Sequence, residues 1–436
     1  MPQSGSVPLM SLRLLSLGVI LYTLEAYTIG SIPLSWISNL AIILSACVLL
    51  SGRRIRVPAW PVALISLYLG VSLFALVWYN VSECTPAMPP RATSSYPVFI
   101  ALRVFAILAF ISAMISGYFT VVANYYTKLL ALQRWVLVFV LISALYIYFA
   151  QIHGMWEPLR NRMGTGGQDF STEPMEFSYI FHRATGTFRE PSHMAEFISA
   201  TMLLILPALT YHKTYKTARF KVIFVVAFIL VFILSGSLLG LIAFVAGFSI
   251  YMMSGGKRLF GMFSRLICLF LFVLVAASTI LDVNYFGAIE PRVQDIFNGG
   301  ILSTNRNYVY VLAQTLDFRF IGYGLGNPAL LFSSLAGSEL AVPVLNLFLN
   351  IFLESGILGL GAILIVFFAP LLYFVRFTHR DPTLVAALAA HVSWIVAGIG
   401  RIPELNTMHG VVLGILFGLI YVQKCEWARR ITGRET

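Results

Sequence analysis

PVFIALRVFAILAFISAMISGY, residues 97–118, carries a single charged side chain, Arg103, in an otherwise almost wholly apolar run. A helix needs about 20 predominantly apolar residues to cross the hydrocarbon core of a bilayer. Lipid offers no hydrogen-bond partners, so the backbone must satisfy itself within the segment, and a helix does so. Similar runs recur along the whole chain. Reading outward from this one gives about twelve spans, near 11–29, 33–50, 58–79, 97–118, 135–152, 193–211, 221–236, 238–253, 266–283, 343–375, 383–400 and 408–423. The expected fold class is all-α: a polytopic integral membrane protein that forms a single transmembrane domain over 1–436.

Composition points the same way. The 436 residues are 59% hydrophobic and 11% charged, with a mean hydropathy of +0.86. Soluble domains carry about 25% charged residues, so there is no room for a large soluble domain. The net charge of +11 sits mainly in one set of connections. These hold Arg53, Arg54 and Arg56, then Lys128 and Arg134, then Lys213, Lys216, Arg219 and Lys221, then Lys257, Arg258 and Arg265, then Arg376 and Arg380. Lys424, Arg429, Arg430 and Arg434 follow at the C-terminus. Basic loops stay in the cytoplasm, which puts both termini inside and every lysine on the inner side. The basic balance reflects insertion polarity and implies no nucleic acid. Cys47, Cys84, Cys268 and Cys425 are scattered, and only Cys84 faces outward, so neither a disulfide nor a metal-ligand spacing is expected. The first apolar run lacks a small-residue cleavage site and reads as a retained span.

Two long polar stretches, about 152–192 and 282–341, break the pattern, and both fall on the outer side. Their cations are all arginine: Arg160, Arg162, Arg183 and Arg189 in the first, Arg292, Arg306 and Arg319 in the second. Guanidinium stays charged when half buried and grips phosphate with two parallel hydrogen bonds. Loops of this length are uncommon unless functional or disordered. The run from Asn305 to Phe318 has helical spacing and predicts an amphipathic helix at the outer interface. The following GYGLGNP, whose tyrosine is Tyr323, lacks the lysine and parallel strand of a phosphate loop and reads as a turn. SGSLLG, 235–240, reads as a tight outer turn between two spans. The run at 343–375 is too long for one straight crossing, so either Gly356 and Gly359 bend it or its first turns stand above the bilayer.

The richest segment for chemistry is RATGTFREPSHMAEF, 183–197. Pro191 suits a first helical turn. A helix from there puts His193 and Glu196 on one face near the outer surface, beside Glu190. Ionisable groups inside a span are costly and commonly functional, and a carboxylate there is suited to general-base work. The plainer alternative is a helix cap with a structural Arg–Glu pair. Arg103 lies two turns into its span and reaches outward to an anion, or else serves as a structural partner for Glu196 or a backbone carbonyl. Asn346, Asn350 and Glu354 form a polar stripe that either glues helices or lets Asn346 orient a sugar hydroxyl. STNR, 303–306, combines a helix N-cap with Arg306 and makes an anion site or an ordinary cap. His391 reads as a satisfied bundle residue. His409, near Arg401 and Glu404, borders the same outer region.

The order of these pieces resembles the O-antigen polymerase and ligase superfamily (Wzy-type) of bacterial envelope glycosyltransferases. The resemblance rests on the "RxxGTFxEPS" run at Arg183–Ser192, on the "S/T-N-R" run with its following helix and "GYGxG" turn at Ser303–Gly326, and on the "N-x-x-L-x-x-x-x-E-x-G-x-x-G" span at Asn346–Gly359. It covers roughly 180–360, while the N-terminal third matches in hydropathy alone. The resemblance implies about a dozen spans and large periplasmic loops, in the bacterial inner membrane. It implies a metal-independent enzyme without cofactor that joins undecaprenyl-diphosphate-linked oligosaccharides at the periplasmic face. Donor and acceptor would both be lipid-linked, with membrane lipids and a chain-length regulator protein as partners.

Carried over by position, Arg189 and Arg306 would clasp the diphosphate, with Arg183 and Arg292 as further candidates and Arg103 and Asn346 beside them. Glu190 is the first choice of base, with His193 and Glu196 as substitutes. The ligase branch carries a histidine just before the asparagine of the third motif, where this chain has Leu345. Polymerisation is therefore the expected activity. Transfer of finished polymer to lipid A core or another acceptor is the alternative within the family, and a flippase or secondary transporter is the alternative of another class.

Overall fold

The computed structural model describes residues 6–30, 32–51, 57–83, 85–90, 94–158, 176–177, 181–211, 215–253, 307–339, 341–376, 381–400 and 405–431. The helices are α1 (Ser6–Tyr22), α2 (Leu34–Ser51), α3 (Ala59–Ser82), α4 (Tyr96–Val122), α5 (Tyr126–His153), α6 (Pro191–Tyr211), α7 (Tyr215–Ser235), α8 (Leu238–Met253), α9 (Asn307–Thr315), α10 (Asn327–Ala336), α11 (Leu347–Arg376), α12 (Pro382–Gly400) and α13 (Thr407–Ile431). Two short antiparallel hairpins accompany them, β1 (Thr28–Ile29) with β2 (Ile32–Pro33), and β3 (Glu176–Phe177) with β4 (Phe181–His182).

Eight of the described helices are long and apolar enough to cross a membrane, and three shorter apolar ones lie at Leu9–Tyr22, Lys221–Ser235 and Leu238–Met253. The fold is that of an all-α polytopic membrane protein. Eleven of the expected spans thus coincide with apolar helices, and the remaining one, 266–283, lies outside the described residues. The first differs in extent. It was expected to run to 29, but the helix stops at Tyr22, and residues 23–30 and 32–33 form a turn and the β1–β2 hairpin. The amphipathic helix expected over 305–318 is α9. The tight turn expected after Ser235 joins α7 to α8, where Ser237 Oγ accepts from the Gly240 N–H at 3.2 Å.

Local chemistry sets the ends of these helices. Pro191 opens α6, where its missing N–H costs nothing. Gly154, at φ +61°, closes α5, and the Met155 N–H returns to the Ala150 carbonyl at 2.8 Å, which is the hydrogen-bond pattern of a left-handed helix stop.

Two features fix the packing. First, Gly410, Gly414 and Gly418 recur every four residues on α13 and face the backbone of α4. A methyl group on Gly410 would stand 2.7 Å from the Phe110 carbonyl, and one on Gly418 would stand 3.0 Å from that of Tyr118. In lipid, where apolar side chains gain little by leaving a solvent as apolar as themselves, such small-residue stripes let helices close through van der Waals contact. Second, α6 is the interior helix. Nearly every described residue from Pro191 to Leu206 is buried, within a core that also draws on α5, α7, α12 and α13. A helix apolar on all sides has neighbours on all sides, so the polar residues of its first turns, His193 and Glu196, are enclosed by the bundle.

α11 is broken where the sequence foretold. Gly356 sits at φ +63°, ψ −156°, far from helical values. The turn GYGLGNP fills the gap. The Tyr323 N–H donates to the Leu353 carbonyl at 2.7 Å, the Gly324 N–H donates to that of Glu354 at 3.0 Å, and the Ile357 N–H donates to that of Phe320 at 3.2 Å. Backbone groups released by the kink are satisfied by the turn, as an apolar setting requires.

Candidate functional site

The segment 183–190 is stitched to its neighbours before α6 begins. The Ala184 N–H donates to the Leu234 carbonyl at 2.9 Å, and Arg183 Nε donates to that of Ser235 at 2.9 Å. On the other side the Ala26 N–H donates to the Thr187 carbonyl at 3.1 Å, and Thr187 Oγ1 donates to that of Thr23 at 2.5 Å. Phe188 is buried between the rings of Tyr22 and Phe197. These ties draw the turn after α1 against the start of α6, and Glu25 comes with it.

Glu25 meets His193. The imidazole Nδ1 lies 2.8 Å from Glu25 Oε1 and 2.6 Å from Oε2. A carboxylate only accepts, so Nδ1 donates. The opposite nitrogen, Nε2, stands 3.6 Å from Glu190 Oε2, close but beyond a hydrogen bond. Ser192 Oγ donates to the same Glu190 oxygen at 3.3 Å. An imidazole held by a carboxylate at one nitrogen keeps the other as its basic site, which is the orientation a general base needs.

His193 opens onto a cavity of about 170 Å³, far more than a single water requires. Its wall is built from the ends of many helices: Tyr22 and Glu25 after α1, Ser35, Trp36 and Asn39 of α2, Ala106 of α4, His193 and Glu196 of α6, Leu347 of α11, Trp394, Ala397 and Gly398 of α12, Leu405 and Asn406 before α13, and Thr407 and His409 within it. Most belong to the ends of their helices that are remote along the chain from the lysine-bearing connections, and Ala106 lies deeper within α4. Thr407 Oγ1 donates to Asn39 Oδ1 at 2.7 Å, and Asn406 Nδ2 donates to the Tyr22 hydroxyl at 2.6 Å. No lysine or arginine is among the described residues lining the cavity. Amides, hydroxyls, two tryptophans, two carboxylates and two imidazoles make a surface suited to a neutral, hydroxyl-rich molecule with apolar ring faces.

A second polar cluster surrounds the broken helix. Glu354 Oε2 accepts from the Tyr68 hydroxyl at 2.6 Å, and Oε1 accepts from the Gly326 N–H at 3.0 Å. Asn350 also bonds to this carboxylate, and Arg103 bears on it through its charge. The Tyr96 hydroxyl donates to Asn327 Oδ1 at 2.8 Å, and Asn327 Nδ2 donates to the Tyr323 carbonyl at 2.9 Å. Farther out, Arg319 pairs with Glu83 and lies over the rings of Tyr79 and Tyr323. Burial pushes the Tyr323 phenol above its ordinary value, and its hydroxyl donates to the Asp317 carbonyl at 2.6 Å.

The structure thus brings His193 and Glu196 together at one cavity, with His409 on its wall, and sets Glu190 beside His193 but outside the lining. It associates Arg103 with Glu354, the carboxylate of the span motif, where Glu196 had been considered. Arg183 secures the α7–α8 turn, and Arg189 is half buried beside Glu190. Asn346 caps α11, its Oδ1 accepting from the Leu349 N–H at 3.0 Å and its Nδ2 donating to the Tyr310 hydroxyl at 3.1 Å. Arg292 and Arg306 lie outside the described residues. His391 is satisfied, as expected, by Phe367 and His409. Sequence reasoning missed Glu25, which lay unremarked toward the end of the first apolar run, 11–29. An acidic residue at the edge of an apolar run was the signal that marked it.

No family model, no curated protein and no solved structure matches the chain.

Proposed function

We propose that the chain is a membrane glycosyltransferase that polymerises undecaprenyl-diphosphate-linked oligosaccharide repeats, of O-antigen or another surface polysaccharide, at the periplasmic face of the bacterial inner membrane. The observation that carries this reading is the carboxylate–imidazole pair Glu25–His193 opening onto a hydroxyl- and amide-lined cavity. The motif resemblance at 183–192 and 346–359 supports it.

In this reading a hydroxyl of the acceptor's non-reducing sugar enters the cavity. His193 Nε2 takes its proton while Glu25 steadies the imidazolium that forms. The oxygen attacks the anomeric carbon of the donor's reducing-end sugar from the face opposite the diphosphate. The new C–O bond forms as the bond to the undecaprenyl diphosphate breaks, with inversion, and both electrons of the broken bond leave with the phosphate oxygen. Arginines outside the cavity meet that charge, Arg189 and Arg183 first, with Arg306 and Arg292 assigned from the motif and from position. Glu190 holds the space beside His193 Nε2 and accepts a hydrogen bond from the imidazolium. Of the three residues proposed as base, the hydrogen bonds favour His193, because Glu25 fixes which nitrogen is basic.

A second reading, cation-coupled transport, draws on the carboxylates of Glu25 and Glu196 in a cavity with no lysine or arginine among its described lining residues, and on the interruption of α11. Against it, the carbonyls of Leu353 and Glu354 freed at that interruption accept N–H groups of the 320s turn and are not presented to an ion. Purified protein in vesicles, supplied with a polyprenyl-diphosphate-linked oligosaccharide, decides between them. Longer glycans together with free polyprenyl diphosphate are expected. Ion or substrate uptake without either product would sink the polymerase reading.

A further inference from the structure

Below the acid–base pair, the cavity wall holds a second histidine whose protons are ordered by the backbone. His391 of α12 is fully buried, and His409, in the first turn of α13, is 2% exposed. His391 Nε2 lies 2.9 Å from the Phe367 carbonyl of α11, and His391 Nδ1 lies 2.9 Å from His409 Nε2. The carbonyl can only accept, so His391 Nε2 carries a hydrogen. Both nitrogens of His391 face neutral groups, and a charge buried without a counter-ion is costly, so this ring is neutral. Its Nδ1 is then bare and accepts, which obliges His409 Nε2 to donate. His409 makes no ion pair among the described residues, so it too is neutral, and its remaining nitrogen, Nδ1, carries a lone pair. Aromatic contacts hold the ring in place, with Phe367 at 4.8 Å and Trp394 stacked at 6.1 Å between centroids.

We propose that His409 Nδ1 is a second acceptor in the cavity, beside His193 Nε2, for a hydrogen bond from a neutral hydroxyl, and that His391 is the positioning residue that fixes the tautomer. That the hydroxyl belongs to a sugar rests on the proposed function. The requirement for a donor rests on the hydrogen-bond chain alone. A phosphate oxygen would bring its lone pairs against that of Nδ1, and the Glu25 carboxylate on the same wall would repel it. The cavity therefore takes the hydroxyl end of the substrate, and the diphosphate lies outside it, toward the arginines.

The test is NMR of isotope-labelled histidines in the full chain in lipid nanodiscs. His409 is expected to be protonated at Nε2 and bare at Nδ1, and His391→Phe is expected to convert His409 to a mixture of tautomers. A hydrogen found on His409 Nδ1 in the unmodified chain overturns the proposal, as does an unchanged His409 in the variant. Methyl glucopyranoside is expected to shift the His409 Nδ1 resonance while inorganic pyrophosphate does not; a response to pyrophosphate, or to neither probe, counts against it. In the transfer assay, His409→Phe is expected to raise KM for the acceptor about tenfold, the loss of one hydrogen bond, and His409→Asn, which keeps an acceptor oxygen, to recover most of it. Absence of any glycosyl transfer, with the tautomers and the glycoside response intact, defeats the proposed function and leaves this inference supported.

Discussion

Replacing Gly356 by alanine attacks the joint between α11 and the glycine turn. At φ +63°, ψ −156° the residue occupies a region that side chains other than glycine's avoid, at roughly 1–3 kcal/mol of strain. The added methyl would also run into the Phe320 carbonyl. Relief requires the turn to withdraw, and withdrawal stretches the bonds Ile357 N–H to Phe320, Tyr323 N–H to Leu353 and Gly324 N–H to Glu354. At about 1 kcal/mol each these contribute about 3 kcal/mol. The sum is about 4–6 kcal/mol, large against the stability of most domains. Gly361 on the same helix is the control, because a methyl there meets nothing within 4 Å and alanine favours the helix by about 0.5–1 kcal/mol. Thermal unfolding of the purified protein in detergent should rank Gly361→Ala at or above the unmodified chain, with Gly356→Ala far below. A Gly356→Ala protein that melts with the parent would refute the reasoning, since the strained backbone and the stitched kink would then contribute nothing.

Three further outcomes are expected. His193→Gln should lower the rate of glycan extension by about 10²–10⁴, and Glu25→Gln should lower it less, by weakening control of the tautomer; turnover measured in vesicles checks both, and an undiminished rate for His193→Gln removes it as base. Glu354→Ala strands the buried Tyr68 hydroxyl and Gly326 N–H at about 1–3 kcal/mol apiece, while Glu354→Gln keeps one acceptor and should be milder; equal melting of the two would contradict the role given to Glu354. In a chain freed of its native cysteines, Ile29→Cys, at an exposed hairpin position (66%), should react with an impermeant maleimide in intact cells, and cysteine restored at 425 should not; the reverse pattern inverts the topology.

The membrane fold was legible because lipid imposes a coarse rule, one apolar run per crossing, and charge asymmetry orders the runs. Even the break in α11 was visible, as a run too long for one crossing with Gly356 inside it. The ends of spans were less so. Hydropathy continued the first segment to 29, but the chain turns after Tyr22, where Thr23 and Ala26 are drawn to Thr187, and no local pattern announces a contact across that distance. Glu25 was lost for the same reason. His193 and Glu196 were found because helical spacing alone puts them on one face. Arg103 was legible as a buried charge, but its association with Glu354 depends on how α3, α4 and α11 pack. The glycine stripe of α13 lay in plain view at four-residue spacing, and its significance depended on knowing that α4 is the partner.

The cavity has a consequence for how the protein is made. Glu25 emerges from the ribosome well before His193, and Asn406, Thr407 and His409 follow later, just before and within α13. A chain released before α13 is inserted lacks both the glycine stripe that closes on α4 and one wall of the chamber. In such a fragment the cavity stands open along one side, so nothing that depends on its enclosure can begin. The enclosure is completed in a single step, when α13 seats against α4.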